Sequence, residues 1–174
     1  MALIKITVDW RAGLHDRKGI VAIAIDLSKA FDSTSHSLLI AKLKPYGFDT
    51  DTINLMKSYF HGRRQRIRLD NVFPKWKPIT AGVPQGSLLG PLLFNIFIND
   101  LNDLISTISL RLYANDTTEY YTDHSSMVLN YTINKELNAI KEWVTVNHLS
   151  INTVKTQALV TYKYELWLAI LLWK

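Results

Sequence analysis

Short apolar runs alternate along this chain with stretches whose apolar positions recur every three or four residues. The run Val21-Ala22-Ile23-Ala24-Ile25 has no polar member and predicts a buried strand that ends at Asp26. Leu39 and Leu43 recur at helical spacing within residues 37–44, where Pro45 and Gly47 then act as stop signals. Residues 51–60 predict a second helix, closed by Gly62. Residues 64–69 and 75–81, joined through a turn at Asp70-Asn71, predict a hairpin with a basic face. Residues 92–101 are apolar on nearly every side and predict a buried helix, with Pro91 where a first helical turn tolerates it. Residues 109–113 and 117–121 flank a turn at 114–116 and predict a second hairpin. Met127, Tyr131, Leu137, Ile140 and Val144 mark a long amphipathic helix, and residues 158–162 a last strand. No repeat, low-complexity tract or Gly/Ser-rich linker divides the chain. The expected architecture is one mixed α+β domain, a sheet with helices on one side.

Composition narrows the function classes. A chain of 174 residues can bury one real core and has little room for a second. The net charge of +5 is concentrated: Arg63, Arg64, Arg66, Arg68, Lys75 and Lys77 lie in one short stretch against the single acid Asp70. A polyanionic partner suits that excess. The absence of cysteine excludes disulfides and thiolate metal sites and fits a reducing compartment. The five histidines are scattered at no metal-ligand spacing, so a histidine zinc site is set aside. The apolar run at 166–173 is far shorter than the ~20 residues that span a bilayer, so no membrane partner is expected. It reads as an edge of the core or as an abnormal end. No signal peptide is visible at the N-terminus, and the expected location is intracellular, cytoplasm or nucleus. Sequons at Asn115 and Asn130 are assigned no function.

Three acidic positions carry candidate chemistry: Asp26 at a strand end, Asp32 six residues on, and Asp116 at a hairpin tip. Carboxylates at strand termini can hold divalent cations, and oxygen ligands suit Mg²⁺. Two-metal phosphoryl transfer needs such ligands to converge, with the ions ~3.5–4 Å apart. Surface acids and turn formers occupy the same kinds of position, so spacing alone does not choose.

The order of whole phrases does. Asp26-Leu27-Ser28-Lys29-Ala30-Phe31-Asp32 comes first, then Gly82-Val83-Pro84-Gln85-Gly86-Ser87, then Gly90-Pro91-Leu92-Leu93-Phe94-Asn95-Ile96-Phe97. Tyr113-Ala114-Asn115-Asp116-Thr117 and Asn147-His148-Leu149-Ser150-Ile151-Asn152, with Lys155-Thr156, complete the series. Over residues 21–162 these phrases resemble, in order and spacing, the reverse transcriptase motifs of non-LTR, LINE-type retrotransposons. The resemblance implies a polymerase palm: an antiparallel sheet with helices packed on one face, plus part of the fingers, and with the thumb missing. It divides the chain into an N-terminal lead-in at 1–20, a palm and partial fingers at 21–163, and an apolar tail at 164–174. The implied activity is RNA-directed DNA polymerisation, with two Mg²⁺ ions, deoxynucleoside triphosphates, an RNA template and a DNA primer.

The same resemblance assigns roles. Asp26 and Asp116 would be metal ligands, and Lys155 the proton donor to the leaving pyrophosphate. Phe31 would crowd a ribose 2′-hydroxyl. Gln85 and Gly86 would line the incoming nucleotide, Tyr113 would pack near the primer terminus, and Arg63, Arg64, Arg66 and Arg68 would contact template phosphates. At one point the sequence departs from the family. Position 115 is Asn where the family has the first Asp of its Tyr-Ala-Asp-Asp motif. An amide oxygen can coordinate a cation but brings no charge, so this copy is expected to be impaired. The alternatives are a catalytically dead nucleic-acid-binding remnant and an inert relic of a retrotransposon.

Overall fold

A computed structural model of the chain describes residues 2–70, 73–105, 108–113, 116–162 and 165–169. In chain order the elements are α1 (Ala2–His15), β1 (Gly19–Asp26), α2 (Ala30–Ser33), α3 (His36–Leu43), α4 (Thr50–Phe60), β2 (Arg64–Gln65) and β3 (Lys77–Pro78). There follow α5 (Leu89–Ile98), α6 (Leu101–Leu104), β4 (Ser109–Tyr113), β5 (Asp116–Asp123), α7 (Ser126–Val146), β6 (Gln157–Tyr162) and β7 (Glu165–Ala169). They fall into two compact units, residues 1–28 with 99–174, and residues 29–98.

The first unit is built on an antiparallel sheet of order β4-β5-β1-β6-β7. The apolar run around Val21 becomes the central strand β1, in which Ile20, Val21, Ala22, Ile23 and Ile25 are buried. That position explains why the run is continuous rather than alternating: both faces of its inner end are covered. Helix α7 starts where the Ser125 hydroxyl accepts from the Val128 N–H at 3.4 Å. It buries Leu129, Ile133, Leu137, Ile140 and Val144, a stripe at helical spacing. This stripe covers the sheet face that carries Glu119.

Helix α1 was not anticipated, and it covers the opposite face, because Tyr120 and Glu119 are successive residues of one strand. Trp10 meets the Tyr120 ring edge-on at 6.4 Å, and the Tyr120 hydroxyl donates to the Asp9 carboxylate at 2.5 Å. The helices of this unit therefore lie on both faces of the sheet rather than one. Of the apolar tail, residues 165–169 extend the sheet as the edge strand β7, registered through Val160↔Trp167.

The second unit packs α3 and α5 around Leu39, Leu43, Phe94, Phe97 and Ile98, all at most 2% exposed. Ser35 and Asp49 cap α3 and α4. Lys42 Nζ donates to the Phe97 carbonyl at 2.7 Å, satisfying an acceptor near the α5 terminus. Two expectations need correction here. The helix expected from residue 92 begins at Leu89, because the Ser87 hydroxyl accepts from the Gly90 N–H at 2.9 Å and so caps it upstream of Pro91. The basic hairpin shrinks to two register pairs, Arg64↔Pro78 and Gln65↔Lys77. Pro74 and Pro78 lack a donor, and the exposed Ile67, Leu69 and Trp76 offer no buried face to fix a longer register. No helix among the described residues is long and apolar enough to cross a membrane.

Candidate active site

In the first unit the backbone of Asp26 is held on both sides. Its N–H donates to the Thr156 hydroxyl at 3.3 Å and its carbonyl accepts from the Asn152 N–H at 2.8 Å. Upstream of Asn152, Leu27 bridges Ile151, and the Ser28 N–H donates to the Ser150 carbonyl at 2.7 Å. Residues 130 positions apart are thereby joined at the end of β1. Thr156 is fully buried, so its hydroxyl is a fixed partner rather than a solvated one. Lys155 is exposed on the same turn, its N–H bonded to the Asn152 carbonyl at 3.2 Å and its side-chain oxygen at 3.3 Å.

The register of β1 and β5 sets Asp116 directly across from Asp26, and that of β4 and β5 sets Tyr113 across from Asp116. Asn115 lies outside the described residues. Asp26 is half-buried at its strand end. A strand-end pair of carboxylate-bearing residues is a hard-oxygen donor set, which fits Mg²⁺ rather than a soft metal. Among the described residues no group of three His, Cys, Asp or Glu gathers to hold a metal ion.

Glu119 stands three residues along β5 from Asp116 and is 0% exposed. Neither of its carboxyl oxygens has a hydrogen-bond partner among the described residues. Burial, helped by the nearby Glu136 of α7, pushes its pKa up to about 8.

In the second unit the turn at residues 81–85 is laced to residues 31–36. The Gly82 N–H donates to the Thr34 carbonyl at 2.8 Å and the Val83 N–H to the Phe31 carbonyl at 2.7 Å. His36 Nε2 lies 2.7 Å from the Gly82 carbonyl, an acceptor only, so Nε2 carries the proton. The His36 ring stacks on Phe60 at 4.2 Å. Gly82 has φ +90°, and a Cβ there would fall 2.8 Å from the Asp32 carbonyl oxygen, so glycine is required twice over. Gly86 also has positive φ, but open space surrounds it.

Gln85 is exposed, and its amide nitrogen donates to Asp32 Oδ1 at 2.8 Å. Asp32, considered above with the strand-end acids, thus orients a side-chain amide. These groups, with Lys29 and Arg63, line a cleft of 620 Å³. Phe31 is half-buried against Phe94, ring centroids 4.6 Å apart.

The basic stretch is not uniform. Arg63 is anchored, its Nε donating to the Tyr59 carbonyl at 2.6 Å and its guanidinium lying over the Tyr59 ring. Arg64 is exposed. Arg66 lies over both Phe73 and Trp76, and Arg68 over Phe73. Sequence reasoning missed the structural parts of His36, Thr156 and Glu119, and missed the two aromatics. The signal for Thr156 was its place directly after Lys155; for the aromatics it was their position between basic residues.

The sequence matches the family described as reverse transcriptase (RNA-dependent DNA polymerase) over residues 4–167. It is 31% identical over 160 residues to a probable RNA-directed DNA polymerase from transposon BS of Drosophila melanogaster, covering 87% of this chain and 17% of that protein. It is 28% identical over 149 residues to the RNA-directed DNA polymerase from mobile element jockey of the same fly, covering 82% of this chain and 16% of that protein. The chain therefore spans less than a fifth of either relative. Its fold is similar to a telomerase from Candida tropicalis in complex with a fragment of telomeric RNA, at TM-score 0.68 and 11% identity, covering 91% of this chain and 29% of that one.

Proposed function

The chain belongs to the reverse transcriptase (RNA-dependent DNA polymerase) family, and from that premise we propose that it serves a retrotransposon as polymerase palm with part of the fingers. In this reading it adds deoxynucleotides to a primer 3′-hydroxyl along an RNA template, at a rate lowered by Asn115. The observation that carries the reading is the register that sets Asp116 across from Asp26. Asp26 and Asp116 would hold Mg²⁺, two ions by the resemblance. When bound, the metal supplies Lewis-acid stabilisation of the phosphates and a readier nucleophile.

The remaining roles belong to the chain itself. The hydrogen bonds from Asn152 and to Thr156 fix the Asp26 backbone, so its carboxylate needs little reorganisation to act. Lys155 is exposed and free to carry a proton to the leaving pyrophosphate. Phe31, backed by Phe94, selects against a ribose 2′-hydroxyl. Gln85, oriented by Asp32, hydrogen-bonds the incoming nucleotide, Gly86 leaves room beside it, and Tyr113 packs near the primer terminus. Arg63, Arg64, Arg66 and Arg68 contact template phosphates in a salt-sensitive, sequence-blind manner.

Asn115, an amide that brings no charge, favours a second reading, a nucleic-acid-binding remnant without turnover. Primer extension on poly(A)–oligo(dT) with dTTP and Mg²⁺ tests the site in a chain carrying Asn115→Asp. Adding Asp26→Asn to that chain should lower extension by ~10²–10³-fold or more. Extension indifferent to Asp26→Asn would refute the assignment of this strand end as the metal site.

A further inference from the structure

The segment between β2 and β3 carries more than charge. Phe73 and Trp76 are 50% and 54% exposed, large rings that a soluble domain ordinarily covers. The Arg66 guanidinium lies 4.6 Å from the Phe73 centroid and 4.5 Å from that of Trp76, and Arg68 lies 5.6 Å from Phe73. Cations over ring faces hold the aromatics in place at the surface while half of each ring stays open. Beside them Gln65, Arg66, Ile67, Pro74, Lys75 and Lys77 line a cleft of 390 Å³, within the range of small-ligand sites.

We propose that this surface is a stacking platform for unpaired bases of a single-stranded RNA, with Lys75, Lys77 and Arg64 holding its phosphates. The inference rests on the polymerase reading only for the choice of RNA; the surface chemistry stands apart from turnover. Charge favours a polyanion over an apolar protein partner, since residues 63–77 set six basic side chains against the single acid Asp70. Duplexes fit poorly, because paired bases already stack on one another and present no free face. Aromatic rings interleaved with cations are the arrangement that holds unpaired strands without reading sequence.

The test is fluorescence anisotropy of the full chain in EDTA, without deoxynucleotides, against labelled oligo(U), an abasic ribose-phosphate oligomer and an A·U duplex of equal length. Oligo(U) should bind more tightly than the other two and quench the Trp76 emission. Phe73→Ala with Trp76→Ala should weaken oligo(U) roughly ten- to a hundredfold, leaving the abasic affinity and the salt slope unchanged. Lys75→Gln should instead lower the salt slope for both ligands.

Equal affinity for all three ligands, no binding at all, or an aromatic double variant that binds oligo(U) like the natural chain would overturn the proposal. So would self-association that Trp76→Ala abolishes while RNA affinity stays the same, which marks a protein interface. Base-dependent binding by a chain that cannot extend primers, even with Asn115→Asp, upholds the platform and removes the polymerase reading. Extension without base-dependent binding does the reverse.

Discussion

Glu119 is a carboxyl group in β5 with Ile23 of β1 and Leu110 of β4 as its cross-strand neighbours, and it feels the like charge of Glu136 of α7. Its folded pKa of about 8 lies above the ordinary value of 4.5, so the folded chain keeps a proton that the unfolded chain releases across that interval. The contribution of Glu119 to stability should accordingly be greatest at and below pH 4.5, fall as pH rises toward 8, and level off above it. The loss is on the order of 4–5 kcal/mol. Denaturant unfolding at pH 5 and pH 8 measures it directly, and Glu119→Gln should flatten the difference. No pattern in the sequence flags this residue: in the run Asp116-Thr117-Thr118-Glu119-Tyr120 it reads as one more polar position. Gly82 differs, since its place in Gly-Val-Pro-Gln-Gly marked a special backbone, although only the fold brings up Asp32, the neighbour that forbids a side chain.

Elements defined by periodicity were legible to within a few residues. The strand read at 21–25 is β1, the helix read from Met127 to Val144 is α7, and the paired strands around residue 115 are β4 and β5. Each has a buried face or stripe, and burial writes its period into the sequence. The basic hairpin failed as a long ladder for the opposite reason, having no buried face at all. Helix α1 escaped notice because it docks through Asp9, Trp10 and Gly13, and leaves Ile4 and Val8 exposed, which blurs its apolar stripe. The turn at residues 152–156 was read only as a phrase, yet it closes the end of β1. Thr156→Val keeps the shape and deletes the hydroxyl that receives the Asp26 N–H. It should cost about 1 kcal/mol and speed hydrogen exchange at the Asp26 amide, while the Ile23 amide keeps its protection. Equal protection at Asp26 in both chains would show that the hydroxyl holds nothing there.

At the scale of the molecule, the family was written in the order of motif phrases, whereas the division into two compact units was not. A single core was expected from length, but the polypeptide leaves the first unit after Ser28 and returns to it at Asn99, an excursion invisible to local periodicity. The strand-end acids Asp26 and Asp116 belong to the first unit, and the Gln85 cleft and the basic, aromatic surface to the second. In the proposed reading, binding and turnover are thereby assigned to different parts of one chain, so binding would outlast turnover in a copy whose metal site Asn115 weakens.

The most direct test is primer extension on poly(A)–oligo(dT) with Mg²⁺, comparing the natural chain with Asn115→Asp. The substituted chain should extend primer ~10²–10³-fold faster or more. Equal and brisk extension by both chains would contradict it, because the charge missing at position 115 would then be one the site does not need.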